Sequence, residues 1–309
     1  MHHGTTLFLL ALLFGVAGAP SVSAQSLDLT VGGYGLSIGD SREVNGVRLN
    51  FRDRRLRQVN GINATIWTPP SPARGIINGI ALGLPVTGGR RINGLATGLL
   101  GAGAEESIRG VLFAPLGAGA GERIEGIGLG GLGIGAGGDV IGIMADGLGV
   151  GAGGHVTGLM IGGLGVGAGQ DVTGIMIGGV GVGAGGDVTG LMIGGVGVGA
   201  GGTLTGLMIG GVGVGAAEVR GVMLSGVAAG GETVTGAVLA PAYFRITDGG
   251  AFTGVSMSAF NHIKGEQNGL TIGLLNYAWR LNGLQLGLLN YAGNKSRLRW
   301  LPFINWHFD

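Results

Sequence analysis

The chain has 309 residues, of which 75 are glycine and none is cysteine, with 18 Lys and Arg against 17 Asp and Glu for a net charge of +1. The missing cysteines exclude a disulfide framework and any cysteine-based metal site. The balanced charge, with no Lys or Arg between Arg123 and Arg220, excludes the basic stripe that a nucleic-acid-binding face needs.

In chain order, Met1 to Ala24 reads as a secretory leader: Leu7 to Val16 is a short apolar core, and Val22-Ser23-Ala24 fits a small-residue cleavage site. The apolar run is too short to span a membrane. Residues 25–43 form an N-terminal β cap, opened by the alternation Leu27, Leu29, Val31, Tyr34, Leu36. Arg52, Arg54, Arg55 and Arg57 make a basic cluster that reads as part of a solvated cap blocking further stacking, with a phosphate or lipid-headgroup site as the alternative. Pro69, Pro70 and Pro72 mark a loop inserted between repeats.

Residues 44–292 are a glycine-rich repeat domain. The unit Asp171–Gly186 reads D-V-T-G-I-M-I-G-G-V-G-V-G-A-G-G, and the next copy differs only at Leu191. A fixed period this short marks a repeat architecture. Seven glycines per unit, each costing about 1 kcal/mol relative to alanine in a helix, exclude helix. Two short strands remain, Val172–Ile177 and Val180–Ala184, with corners at Gly178-Gly179 and Gly185-Gly186. A marker glycine recurs at Gly46, Gly61, Gly79, Gly94, Gly110, Gly126, Gly142, Gly158, Gly174, Gly190, Gly206, Gly221, Gly236, Gly254, Gly269 and Gly283. The expected fold is therefore all-β, a β-solenoid of about 16 two-strand coils of 14–18 residues each. Its rival is an antiparallel outer-membrane β-barrel, for which Gly-Gly turns and the aromatic final strand speak. Strands of five or six residues fall short of a bilayer crossing.

Toward the C-terminus the vocabulary changes to G-L-T-I-G-L-L-N-Y-A (Gly269–Ala278) and G-L-Q-L-G-L-L-N-Y-A (Gly283–Ala292), and residues 293–309 close the chain as an aromatic cap strand. These units resemble a bacterial family of exported surface-repeat proteins built from G-L-x-I-G-L-L-N-x-A modules. The close match covers roughly forty residues and implies a location at the cell surface, the outer membrane or outside the cell, with no chemistry attached. The short two-strand coils are similar in geometry to the β-roll heads of trimeric autotransporter adhesins, without their heptad stalk.

Motifs that carry chemistry are missing. Gly133–Gly138 matches G-x-G-x-x-G, but no helix follows it, so the dinucleotide reading fails. Asp139, Asp171 and Asp187 recur at one corner, where His155 and Thr203 take the same slot; this does not fit the calcium-binding nonapeptide, and the side chains read as polar corner residues. The five histidines show no metal-ligand spacing, and no acid, base or nucleophile converges. The expectation is a non-enzymatic chain with no cofactor and no metal.

One row has physical content. The residue two after each marker glycine is Arg48 and Asn63 at one end, Met144, Met160, Met176, Met192, Met208 and Met223 in the middle, and Thr271 and Gln285 at the other end. Polar residues in the end coils place this row in water, so the six methionines are expected to form an exposed apolar stripe, the candidate interaction site, unless terminal segments fold over it. Function then reads as a structural or interaction scaffold of the bacterial envelope, its partner a protein, another envelope surface or a second copy. Membrane association stays open, and pore or anchor is the alternative.

Overall fold

The computed structural model describes residues 26–308, so the leader expected over Met1–Ala24 lies outside the described residues. The described chain has no helix and is about three-quarters strand, arranged as stacked parallel coils in a β-solenoid of about 14 turns. Successive copies of the repeat pair in perfect register: Val156 to Gly162 lies on Val172 to Gly178, which lies on Val188 to Gly194. The short strand does the same, Gly165 to Ala168 on Gly181 to Ala184 on Gly197 to Ala200. Parallel pairing throughout the stack removes the antiparallel barrel. Sixteen coils carry a marker glycine, but the short-strand ladder starts only at Val86 paired with Gly101. The first two coils return through loops, which leaves fourteen with both strands.

Each coil is a flattened loop with two strands and two corners. From the long strand Val172–Gly178, Val172 and Met176 point inward; from the short strand Gly181–Ala184, Val182 and Ala184 do. These rows repeat in every central coil and form one continuous core from Val44 to Ala292. Burying each such Val or Met side chain is worth about 1.5–3 kcal/mol, and the stack multiplies that contribution along its length.

Close stacking depends on the marker glycine. All sixteen have φ between 122° and 155°, a region open to glycine but strained for an L side chain. A methyl group on Gly174 would also overlap the carbonyl oxygen of Gly158 in the coil below, and the same holds along the ladder. Other glycines are there for a different reason, or for none that the fold supplies: Gly151, Gly167 and Gly183, on the outer face of the short strands, have ordinary φ, and a methyl group there would meet nothing within 4 Å.

Both ends are closed by strands that run the other way. Leu27–Val31 pairs antiparallel with Tyr34–Ile38, which starts the parallel stack on Glu43–Asn50. At the far end Trp300–His307 pairs antiparallel with the last coil, Gly283 opposite His307 and Tyr291 opposite Trp300. Under the N-terminal cap the core turns polar. Arg48 is fully buried, donates from Nη2 to Asp40 at 3.0 Å, from Nη1 to Asn63 at 2.7 Å and to the carboxylate of Asp53, and from Nε to the carbonyl of Ser41 at 3.0 Å. Thr65 and Asn50 complete the shell of Asp53 at 2.6 and 3.0 Å. A buried ion pair that is fully hydrogen-bonded persists, because removing one member strands the other. Of the expected basic cluster, Arg55 reaches Asp40 and Arg57 reaches Glu43, in keeping with a cap.

Replacing Gly174 by Ala should lower stability by about 2–4 kcal/mol, from backbone strain plus overpacking. Gly183→Ala, in the same coil, should leave the melting temperature unchanged or raise it. Thermal melts of the two variants check this, and equal effects would refute the division between required and free glycines.

Candidate interaction face

The methionine row is inside, not outside. Met144, Met160, Met176, Met192, Met208 and Met223 are each 0% exposed and stack on one another through the core. The polar side chains that suggested a wet row are buried too. Arg48 and Asn63 belong to the N-terminal network, Thr271 contacts Gln267 at 3.5 Å, and Gln285 donates to Gln267 at 3.0 Å. A polar side chain in this row bonds another buried polar side chain in its own or the next coil, so polarity in this row does not mean water. The exposed methionine stripe is thereby corrected, and with it the cover by terminal segments.

What faces out is the other parity of the same strand. Ile175 is 37% exposed and Ile143 45%, with Ile161, Ile127, Leu129, Val111 and Phe113 also open. The two outer rows, one and three residues after each marker glycine, hold thirty-two side chains over the sixteen coils, and only Thr97 among them is polar. None of the thirty-two is buried. A third row continues round the corner through Leu132, Leu148, Leu164, Val180, Val196 and Val212, with Val180 48% exposed. At the ends of the stack the cap strands extend the face: Leu27 and Leu29 pair with Ile38 and Leu36, and Ile304 and Trp306 sit opposite Leu286 and Leu284. Over the first coils the corner row deepens into an apolar hollow of about 900 Å³ lined by Phe51, Ile66, Leu84, Leu99 and Phe113.

The opposite corner is polar. Asp139, Asp171 and Asp187 accept the backbone N–H of His155, Asp187 and Thr203 at 3.0, 2.8 and 2.7 Å. These bonds run between coils, one repeat apart. The backbone N–H of His155 and the Arg123 guanidinium hold the Asp139 carboxyl below the usual carboxylate range. Next to this corner runs an exposed row of Thr157, Thr173, Thr189 and Thr205, replaced in the first coils by an asparagine ladder in which Asn60 donates to Asn45 at 2.7 Å and Asn78 to Asn60 at 2.8 Å.

The outer face of the short strands differs from both. In the central coils it is bare glycine, Gly149 and Gly151, then Gly165 and Gly167, then Gly181 and Gly183. Toward the C-terminus the same face carries an aromatic ladder, Tyr243, Phe260, His262, Tyr277, Tyr291 and Trp300, with neighbouring rings 4.8–5.4 Å apart along the stack. Sequence reading missed this ladder, whose only trace was the recurring N-Y-A. His262 Nδ1 lies 2.8 Å from the Tyr243 hydroxyl, and burial together with Lys264 and Arg245 lowers its pKa.

Among the described residues no group of three His, Asp or Glu is placed to hold a metal ion, and no helix is long and apolar enough to cross a membrane. No family model matches this sequence, and no curated protein or solved structure matches it either.

Two tests follow from this geometry. Met176→Lys should bury an unpaired ammonium and cost several kcal/mol, whereas Ile175→Lys, one residue away, should melt within a few degrees of the parent chain. Reversal of that order would refute the assignment of inside and outside. The second concerns pH. His262 is harder to protonate folded than unfolded, so between its two pKa values the unfolded chain binds more protons. Stability should therefore fall as pH drops below about 6.5, and His262→Gln should flatten that part of the profile, read from melting temperatures between pH 7.5 and 5. The carboxylate of Asp139, with its lowered pKa, acts in a separate window nearer pH 4 and does not confuse the reading.

Proposed function

We propose that this protein is a non-enzymatic scaffold of the bacterial envelope that docks through the apolar outer face of its long strands. One observation carries this reading: a sheet face, apolar in all but one of thirty-two positions and open along the whole stack. Monomeric soluble proteins rarely expose contiguous apolar patches beyond a few hundred Å². Nineteen strands at about 4.8 Å spacing, with two rows about 7 Å wide each, give roughly 1,200 Å². The repeat explains how such a face is ordered, because each outward side chain stands beside its own copy.

Export to the cell surface, the outer membrane or the medium is supported by the leader-like Met1–Ala24 and by the resemblance of Gly269–Ala292 to surface-repeat modules. A mixed hollow of about 630 Å³ is lined by Asp248, His262, Lys264, Glu266, Tyr277 and Arg280, with charges of both signs.

The test is cell fractionation. The parent chain should be recovered in a complex that detergent dissociates and salt does not. The triple change Ile143→Lys, Ile161→Lys and Ile175→Lys should release it from that complex as a free chain. A parent chain already free of any complex in every fraction would overturn the proposal.

A further inference from the structure

We infer that the occupant of the apolar face is a second copy of this chain, packed sheet against sheet through the rows that flank the marker glycine. The inference rests on the docking reading above and names its partner. Three observations carry it.

The first is area. A standard stable interface buries about 800 Å² on each partner, and this face offers roughly 1,200 Å² from its two main rows alone. Sheets stacked face to face sit about 10 Å apart with interdigitating side chains, which suits rows of Ile, Leu and Val repeating at strand spacing.

The second is charge. A two-fold contact sets one patch against itself, and a patch without charges meets its own copy with no unpaired charge buried. The two rows contain none in any coil, and the ionisable groups of the stack sit at the polar corner and the ends, apart from Asp146, which is buried at the other corner and accepts the backbone N–H groups of Leu148 and Gly149. The exposed threonines Thr157, Thr173, Thr189 and Thr205 border the face on one side as a polar rim, the usual anatomy of a protein interface.

The third separates a second copy from a lipid surface. Segments that lie in a bilayer interface carry Lys or Arg beside the apolar face to meet anionic headgroups. From Arg123 to Arg220 this chain has no Lys or Arg between those two, and its polar corner holds Asp139, Asp171 and Asp187. Anionic headgroups would repel that edge.

The test is sedimentation velocity of the full chain over a concentration series. The parent should run at twice the 30.5 kDa chain mass. The triple change Ile143→Lys, Ile161→Lys and Ile175→Lys should weaken the dimer by at least about a hundredfold, given that buried anchors carry most of an interface, with an unchanged far-ultraviolet circular dichroism spectrum. Gly183→Lys, on the bare opposite face, should leave the dimer intact. A parent chain that stays monomeric but floats with phosphatidylglycerol–phosphatidylethanolamine vesicles would overturn self-association and leave the docking reading standing. A monomer that binds neither itself nor vesicles, in a chain that also fails the fractionation test, would overturn both. A dimer lost in Gly183→Lys and kept in the triple variant would show that the wrong face had been assigned.

Discussion

The close approach of one marker glycine to the next is the constraint on which the rest of this structure depends. Gly174 takes φ of +140°, and its Cα sits against the carbonyl of Gly158 with no room for a methyl group. Repeated sixteen times, that contact fixes the register between coils to a single residue. Once register is fixed, every side chain is stacked on its counterpart in the next coil. All the other regularities, in the core, at the corners and on the surface, follow from like meeting like.

Like-on-like stacking suits apolar side chains and neutral amides, and it penalises charges. The central core accordingly stacks Val on Val and Met on Met. Where the core turns polar near the C-terminus it does so with side chains that both donate and accept: Asn261 donates to Asn276 at 2.7 Å, and Asn276 to Asn290 at 2.7 Å. An amide ladder can extend without limit, since each member satisfies the next. A buried charge cannot repeat, so Arg48 appears once, compensated by Asp40 and Asp53 from the loops of the first coils. Acids recur only at the corner, where Asp171 and Asp187 bond backbone N–H groups and keep their other oxygens toward water.

The repeat register, the two strands of each unit, both glycine corners and the pairing of coils were legible in the sequence, because period and glycine placement determine them. Which parity of the long strand faces inward was also written there, but in rows other than the one that was read. The residue two before each marker is Val44, Val59, Ile77, Ile92 and so on through Val188, apolar without exception until Gln267. It shares its parity with the methionines. The residue one before is mostly Asn or Thr, and it shares its parity with Ile175 and Ile177. Polar end residues such as Arg48 and Gln285 pointed the other way only because a buried polar ladder and a wet row look alike in composition. Telling them apart needs the partners, and Asp40 and Asp53 come from loops whose return path no periodicity describes. The aromatic ladder was hidden for a similar reason: Tyr243, His262 and Tyr277 become neighbours only after coils of unequal length have been aligned.

The outer face is not a by-product of copying one unit many times. If it were, it would fade where the copies diverge, as the core does. In the C-terminal coils the inner positions change from Met and Val to Ser256, Thr271 and Gln285, and the cap strand contributes a buried Asn305. The outer positions beside them stay apolar: Val255 and Met257, Leu270 and Ile272, Leu284 and Leu286, then Ile304 and Trp306. A water-facing row that keeps Leu and Ile while the core beneath it turns to amides inverts the normal order of a soluble protein, in which polar residues take the surface first. Meanwhile a reversed strand covers the outermost coil at each end of the parallel stack, Leu27–Val31 at one end and Trp300–His307 at the other. The association we propose would run sideways, onto the face whose apolar character outlasts that of the core.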